Sequence, residues 1–284
     1  MIFDRRTKEY TKEKDSSMLI FLYNNFIGRL ILKLLTFKWV TNLGAAYMSS
    51  KLSRGRITKF VDKNKIDMNE YEEAEYSSFN DFFIRKIKDG SRVMDAYENK
   101  FLAPADSRLT VYEIDDNTVL SIKNSKYTID ELVKDKNLAD KYKGGYCFVY
   151  RLCVDDYHRY YFIDNGIVKN KKKIKGKFHT VQPIAFKRYK VFSENSRECT
   201  VLETANFGTI TQIEVGALMV GRICNNDKET FLRGEEKGYF CFGGSTVVLL
   251  VEKNKVIVDS DILENSKKDI ETRVLLFDVI GKKS

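Results

Sequence analysis

The sequence YFCFGGSTVVLLV, residues 239–251, decides the fold. Apolar and aromatic residues on both sides of Gly243 and Gly244 predict two strands, or one strongly bent strand. Paired glycines allow backbone shapes that a residue with a Cβ adopts only at a cost. The sequence therefore predicts that the hydroxyl of Ser245 lies at a bend in a buried sheet.

A serine hydroxyl at such a bend can react with the peptide bond that precedes it. Attack of Ser245 Oγ on the carbonyl of Gly244 converts the peptide bond into an ester, and elimination with loss of ammonia leaves a pyruvoyl group at the new amino terminus. The ketone of that group forms a Schiff base with an amine and then accepts an electron pair, as a pyridoxal cofactor does. Gly-Gly-Ser-Thr alone is more often a turn or a bulge, so these four residues leave both interpretations open.

Six segments spread along the chain carry a shared pattern. They are FNDFFIRKIK (79–88), APADSRLTVY (103–112), YRLCVDDYHR (150–159), HTVQPIAFKRYKVFSENSRE (179–198), FGTITQIEVGALMVGRI (207–223) and RGEEKGYFCFGGSTVVLL (233–250). In this order they resemble bacterial phosphatidylserine decarboxylases, and the resemblance extends to about Ile257. It implies a proenzyme that cleaves itself between Gly244 and Ser245. The resulting pyruvoyl enzyme would convert phosphatidylserine to phosphatidylethanolamine and CO2.

The resemblance also implies roles for two residues outside the cleavage motif. Asp106 in APADS matches the family's triad carboxylate, although by itself it is typical of a turn after Pro104. His158 matches the family's first histidine, which lies near the pyruvoyl group and assists decarboxylation. The alternative for His158 is a structural histidine bonded to Asp155 or Asp156.

Tyr161 stands where family members usually carry a second histidine, the residue credited with activating the serine. Producing the basic form near neutral pH costs a tyrosine roughly 4 to 5 kcal/mol more than a histidine, because their ordinary pKa values are about 10 and about 6.5. Three outcomes stay open: His158 takes over as base, cleavage is slow, or the protein is an uncleaved, catalytically silent lipid-binding relative. Ser245, Asp106, His158 and Tyr161 form the candidate catalytic set, and His179 is predicted to line or support the site.

The stretch MLIFLYNNFIGRLILKLLTFKWV, residues 18–40, has apolar residues at helical spacing with Arg29, Lys33 and Lys38 among them. Its uncharged part is too short and too polar to span about 30 Å of hydrocarbon. Such an amphipathic helix lies either in a membrane interface, with its basic residues near anionic head groups, or on the protein's own core. The lipid substrate that the resemblance implies favours the interface.

Composition limits the partners and the compartment. Lys plus Arg outnumber Asp plus Glu by 49 to 40, a formal charge of +9 that suits either an anionic membrane or nucleic acid. Neither a metal-ligand spacing nor a nucleic-acid motif accompanies the charge, so we predict neither a metal nor a nucleic-acid partner. The odd number of cysteines and the charged amino terminus predict buried free thiols in a reducing compartment.

Together these patterns predict an α+β protein. We expect a helical, membrane-associating region over residues 1–100 and a β-rich catalytic domain of mostly antiparallel strands over residues 101–284. Cleavage would leave a β chain, 1–244, bound to an α chain of 40 residues (284 − 244) that begins with the pyruvoyl group. The expected location is the cytoplasmic face of the cell membrane, as a peripheral protein, and a homodimer is left open. A pyruvoyl decarboxylase of a soluble amino acid is the alternative enzyme.

Overall fold

The computed structural model describes residues 1–12, 16–36, 38–117, 119–122, 125–186, 189–218, 222–243 and 245–284, so the predicted cleavage residue Gly244 lies outside the described residues. The α-helices are α1 Ser17–Asn24, α2 Phe26–Leu35, α3 Lys38–Met48, α4 Ile57–Asn64, α5 Phe79–Phe83, α6 Ile129–Val133, α7 Lys136–Asp140, α8 Pro183–Phe186, α9 Val191–Glu194 and α10 Ser260–Lys267. Short 3-10 helices occupy Lys51–Arg56 and Met68–Glu70.

The strands are more numerous than the helices and fill most of the carboxyl-terminal two thirds. They are β1 Ile2–Asp4, β2 Tyr10–Thr11, β3 Lys100–Leu102, β4 Ser107–Glu113, β5 Val119–Ile122, β6 Ser125–Thr128, β7 Tyr146–Leu152, β8 Arg159–Tyr161, β9 Gly166–Ile174, β10 Arg197–Thr204, β11 Gly208–Val215, β12 Ile223–Asn225, β13 Thr230–Phe231, β14 Glu236–Phe240, β15 Ser245–Val251, β16 Val256–Val258, β17 Glu271–Val274 and β18 Val279–Lys283.

A large sheet forms the centre of the molecule, with the strand order β13-β9-β10-β11-β15-β7-β4-β17-β1-β2. Its neighbouring strands are antiparallel except for β1, which runs parallel to β17. Every residue of β15 is buried, which explains why STVVLLV is a continuous apolar run rather than an alternating one. The predicted mixture of helices with a large, mostly antiparallel sheet is confirmed.

A smaller sheet, in the order β12-β14-β8, lies next to the ends of two central strands. The chain leaves β7 of the large sheet and enters β8 of the small one, and it later leaves β14 of the small sheet and enters β15 of the large one. Because β7 pairs with β15 and β8 pairs with β14, these two connections cross between the sheets side by side. This arrangement positions the candidate site.

The amphipathic stretch 18–40 contains α1, α2 and the start of α3 rather than one helix, which corrects the single-helix expectation. Asn25 ends α1, and its side chain accepts hydrogen bonds from the N–H groups of Ile27 and Gly28, which starts α2 in a new direction. The chain bends by 100° between α1 and α2. A Cβ at Gly28 would lie 2.0 Å from the carbonyl oxygen of Phe21, so only glycine allows this close bend.

Membrane association of this region stays a prediction. Within the described parts of the chain, no single helix is both long enough and apolar enough to cross a bilayer. Only α1 and α2 counted together, as a bent pair, reach the length and the apolar composition of a membrane span. The predicted division at residue 100 also stays a prediction. The structure adds that β1, at the amino terminus, lies in the large sheet against β17.

Candidate active site

Ser245 begins β15 and is completely buried, opposite Leu152 of β7. Its hydroxyl oxygen has no hydrogen-bond partner among the described residues. Gly243, two residues earlier, has a φ of +135°, which favours glycine. A buried hydroxyl without a partner is costly in an ordinary core. The unpaired hydroxyl at this bend therefore keeps Ser245 a candidate for the reactive residue.

His158 ends the connection between β7 and β8 and is also completely buried. Its Nδ1 lies 2.8 Å from the backbone carbonyl oxygen of Asp156. A carbonyl can only accept, so Nδ1 carries the hydrogen and Nε2 presents a lone pair. Nε2 has no partner within the described chain. Burial lowers the pKa of His158 to about 4, although the negative charge of Asp156 acts in the opposite direction. His158 is thus a neutral imidazole at pH 7, with its basic nitrogen free.

The fold holds the His158 connection against the end of β14 and the segment that leads to Ser245. The N–H of Phe240, at the end of β14, donates to the carbonyl oxygen of His158 at 2.9 Å. The ring of Phe83 in α5 lies 4.0 Å from the His158 ring and 5.2 Å from the ring of Phe242, measured between centroids. Phe242 lies two residues before Gly244, so α5 covers the cleavage segment and the histidine at the same time.

The connection that carries His158 is held by a buried ion pair. The guanidinium of Arg108 in β4 donates to both carboxylate oxygens of Asp156. The N–H of Cys153 donates to the same carboxylate at 2.7 Å. These contacts fix the turn that follows β7 and, with it, the position of the His158 ring. The predicted alternative of a histidine bonded to Asp155 or Asp156 is found only as the bond to the backbone of Asp156.

Asp106 lies in a separate buried contact. Its carboxylate accepts from Arg92 at 2.9 Å and from the N–H of Leu276 at 2.7 Å. Burial raises the pKa of Asp106, while Arg92 and the Leu276 N–H oppose that rise. We assign the carboxylate form because these contacts all come from donors. These bonds tie the APADS turn to the carboxyl-terminal segment, and the catalytic role of Asp106 stays a prediction.

Tyr161 has neighbours that make its phenolate harder to form than that of a free tyrosine. Its hydroxyl lies 3.0 Å from the hydroxyl of Tyr157, and its ring contacts the ring of Phe277. Burial, the largest influence, raises its pKa above the ordinary value. The environment thus increases the cost of the phenolate, so His158 is the better candidate for the base in this chain.

His179 lies in a different neighbourhood from the other histidine. Its ring stacks on Tyr189 at a centroid distance of 3.9 Å and meets the edge of Tyr23 in α1. Its backbone carbonyl accepts from Leu218, which lies three residues beyond Val215, the partner of Thr246 in β15. The structure therefore places His179 beside the loop that follows β11. Its predicted role as a residue that lines the site stays a prediction.

Sequence reasoning missed Arg92, Arg108 and Asn80, the last of which accepts the N–H of Phe242 at 2.9 Å. A carboxylate pair directly after a buried strand signals that a cation lies nearby. The chain has 49 Lys and Arg residues, however, and only the register of β4 against β7 selects Arg108.

Comparison with known proteins shows which family has this arrangement. The family model described as phosphatidylserine decarboxylase matches residues 79–273, well over half of the chain. Phosphatidylserine decarboxylase proenzyme 2 of Clostridium acetobutylicum is 50% identical over 284 residues, covering 99% of this chain and 98% of the relative. The chain belongs to the phosphatidylserine decarboxylase family.

Other relatives in the phosphatidylserine decarboxylase family also match along almost the whole chain. The phosphatidylserine decarboxylase proenzyme of Clostridium tetani is 44% identical, covering 99% of this chain and 97% of the relative. That of Fusobacterium nucleatum is 41% identical, covering 98% and 96%. The predicted family is confirmed, and the match includes the amino-terminal helices that precede residue 79.

The buried neutral state of His158 predicts a loss of stability in acid. Above its unfolded pKa of about 6.5 the residue is neutral in both states and contributes nothing, but as the pH falls towards 4 the unfolded chain takes up a proton first. At pH 4 the free energy of unfolding is therefore lower by about 3 kcal/mol because of this one residue. We expect His158→Gln to remove that share of the pH dependence, measured by urea unfolding at pH 7 and pH 4 in a Ser245→Ala background that keeps one chain.

Burial also lowers the pKa of His179 to about 4, so His179 contributes to the pH dependence as well. Its contribution cancels in the comparison because both proteins contain it. An unchanged difference between pH 7 and pH 4 in His158→Gln would show that His158 is not held neutral in the folded protein.

Proposed function

We propose that this chain is a phosphatidylserine decarboxylase, synthesised as a proenzyme that cleaves itself between Gly244 and Ser245. Family membership supports the reaction and the substrate, and the names of the relatives support a proenzyme. The observation in this chain that carries the proposal is the pair of buried atoms without described partners, Ser245 Oγ and His158 Nε2. His158 ends one of the two connections that cross side by side between the sheets, and Ser245 directly follows the other.

Cleavage needs a base for the serine proton, and His158 has the properties of one. Ser245 Oγ gives its proton to His158 Nε2 and attacks the carbonyl carbon of Gly244. The C–N bond of the peptide breaks as the ester forms, and the proton returns to the amino group of Ser245. The carbonyl of Asp156 accepts from Nδ1–H, so it orients the ring and stabilises the imidazolium during the transfer.

The same residues fit a pyruvoyl group at position 245. Residue 245 is completely buried, and so is the neutral imidazole of His158. When formed, the group supplies a ketone that accepts the electron pair left by CO2. His158, which can hold a proton at Nε2, is the residue placed to protonate the product carbon. Tyr161 has no proton-transfer role in this proposal.

Processing tests the proposal directly. We expect the intact mass of the denatured protein to show a fragment of residues 245–284, 40 residues, blocked by a pyruvoyl group, and Ser245→Ala to stay a single chain. His158→Gln should slow cleavage by about 100-fold or more, because a positioned base contributes about 10² to 10⁴ in rate. Tyr161→Phe should process at close to the parental rate.

Two results would contradict parts of this scheme. Normal processing of His158→Gln with loss of processing in Tyr161→Phe would make the tyrosine the base. A single full-length chain in the parental protein would favour the catalytically silent lipid-binding relative, which Tyr161 supports. In processed protein, CO2 release from phosphatidylserine vesicles but not from free serine separates the lipid substrate from a soluble amino acid.

We further propose that the protein binds peripherally to the cytoplasmic face of the cell membrane through α1 and α2. Large apolar side chains on both helices are exposed: Met18, Ile20, Phe21, Phe26, Ile27, Leu30, Ile31 and Leu34. Arg29 and Lys33 lie among them on α2. Exposed apolar groups beside cations are typical of a helix that lies in an anionic membrane interface.

A pair of matched isoleucine variants tests the membrane proposal. Ile27 on α2 is 61% exposed and Ile257 on β16 is 50% exposed. Ile27→Glu should weaken co-sedimentation with phosphatidylcholine vesicles containing phosphatidylglycerol by about tenfold or more, because burial of such a side chain contributes about 1.5 to 3 kcal/mol. Ile257→Glu, with the same change of charge, should bind like the parent. Equal binding by all three proteins would mean that α2 does not enter the interface.

A further inference from the structure

A cavity of about 370 Å³ opens between α2 and the segment that carries His179. Its described lining consists of Arg29, Leu32 and Lys33 from α2 and Thr36 at the end of that helix, with Lys177, His179 and Tyr189 from the body. The first four residues recur at helical spacing, so one face of the helix and its C-cap form one wall. Three cations line this space and no acidic residue does so among the described residues.

His179 provides a second, independent indication of a ligand. The side chain is only 4% exposed, yet neither ring nitrogen has a hydrogen-bond partner among the described residues. Its backbone, in contrast, is firmly bound. Asn195 accepts from the His179 N–H at 3.0 Å and donates to its carbonyl at 2.8 Å. A rigidly placed ring with two unsatisfied nitrogens is costly unless a ligand completes it.

The charges around His179 favour an anion. Burial lowers the pKa of His179 to about 4, with Glu194 acting to raise it and Lys177 acting to lower it. Glu194 lies 3.5 Å from Lys177 and does not line the cavity. Arg29 and Lys33 add positive charge from the helix side, and the neighbouring Tyr23 is neutral at pH 7 because burial raises its pKa. A neutral imidazole that can donate one hydrogen bond, with three cations, suits a phosphate oxygen group.

The position of the cavity selects the kind of phosphate. Phe26, Ile27 and Leu30 on the same helix are exposed, so the cationic wall borders an apolar surface. A phospholipid presents these two chemistries next to each other, a charged phosphodiester and then acyl chains. We propose that this cavity binds the phosphate of an anionic phospholipid headgroup. The proposal rests on the proposed lipid function for the class of ligand, but its test needs no turnover.

The two histidines of the chain make this site directly observable. We expect ¹⁵N-histidine NMR of the Ser245→Ala protein at pH 6 to show a shift of the His179 signal, towards the protonated form, on addition of dihexanoylphosphatidylglycerol. His179→Gln assigns the signal, and His158 should not move. Arg29→Gln with Lys33→Gln should weaken the apparent affinity about tenfold or more, because two charge-assisted contacts are lost. Lys267→Gln with Lys268→Gln, exposed residues at the end of α10, is the control of equal charge.

Inorganic phosphate and dihexanoylphosphatidylcholine separate the sources of the phosphate. A response to phosphatidylglycerol at lower concentration than to inorganic phosphate supports the headgroup, and equal responses assign the site to free phosphate and overturn the lipid assignment. A weaker response to phosphatidylcholine shows that net negative charge is recognised. The proposal is overturned if His179 stays unchanged, if His158 responds in its place, or if the Arg29 and Lys33 variant binds as well as the control. Failure of self-cleavage would leave this result unaffected.

A pair of cysteines carries a second, independent inference. Cys147, Cys153 and Cys199 are buried as the sequence predicts, whereas Cys224 and Cys241 are half-buried, which corrects that expectation for these two. Their sulfur atoms lie 3.9 Å apart. Cys224 pairs with Tyr239 across the small sheet, and the N–H of Cys241 donates to the carbonyl of Arg222, so the cysteines are diagonal neighbours on one face.

Both thiols face a cavity of about 430 Å³ that also contacts Arg222, Tyr239 and Phe242. A hydrogen bond from the Cys241 thiol lowers the pKa of the Cys224 thiol to about 6. A disulfide needs a sulfur separation of about 2 Å, so the side chains must approach by only about 2 Å. The geometry points to a reversible disulfide between Cys224 and Cys241, formed with a low-molecular-weight disulfide as oxidant.

The exchange proceeds in two displacements. The Cys224 thiolate attacks one sulfur of the oxidant and releases the other half as a thiolate. Cys241, after giving its proton to solvent, then attacks the Cys224 sulfur and releases the second thiolate. The oxidant is reduced to two thiols and the protein loses two hydrogen atoms.

Intact mass and peptide mapping after incubation with glutathione disulfide test this pair. We expect a protein lighter by two hydrogen atoms, with a linked peptide pair containing Cys224 and Cys241, and recovery of the original mass with dithiothreitol. Cys199→Ser should form the same link, and Cys241→Ser should stop at a glutathione adduct on Cys224. A stable glutathione adduct in the parental protein, or no reaction, would contradict the proposed disulfide.

Discussion

The pairing of β7 with β15, continued by the pairing of β8 with β14, is the constraint on which the site depends. Two connections separated by many residues in sequence must cross between the same two sheets next to each other. One connection ends at His158 and the other at Ser245. A change of register by one residue would turn the side chains of one strand to the other face of the sheet relative to its partner, and Ser245 would no longer lie opposite Leu152.

Burial then sets the chemistry of the groups that this pairing brings together. It holds His158 neutral with a free lone pair, and it raises the pKa of Tyr161, so that the phenolate of Tyr161 is harder to form at neutral pH. Two buried carboxylates nearby are paired with arginines, Asp156 with Arg108 and Asp106 with Arg92. The unsatisfied atoms at Ser245 and His158 remain as a local cost, as is typical of functional sites.

The same scaffold connects the site to its surroundings. β11 pairs with β15, and Leu218 in the loop after β11 donates a hydrogen bond to His179. The ring of His179 in turn contacts Tyr23 of α1. The bend at Asn25 and Gly28 then directs α2 so that its cations line a cavity and its apolar residues face outwards. The proposed membrane surface and the proposed phosphate site thus depend on one helix and follow from one local bend.

The sequence by itself determined the family and the buried strand at Ser245. These depend on motif order and on an apolar run, which are both local. It did not determine the partner of Asp156, the bend of the amino-terminal helices or the free nitrogen of His158. Only the tertiary structure decided these, because strand register selects which distant charges meet, and burial sets the pKa values of the groups enclosed between them.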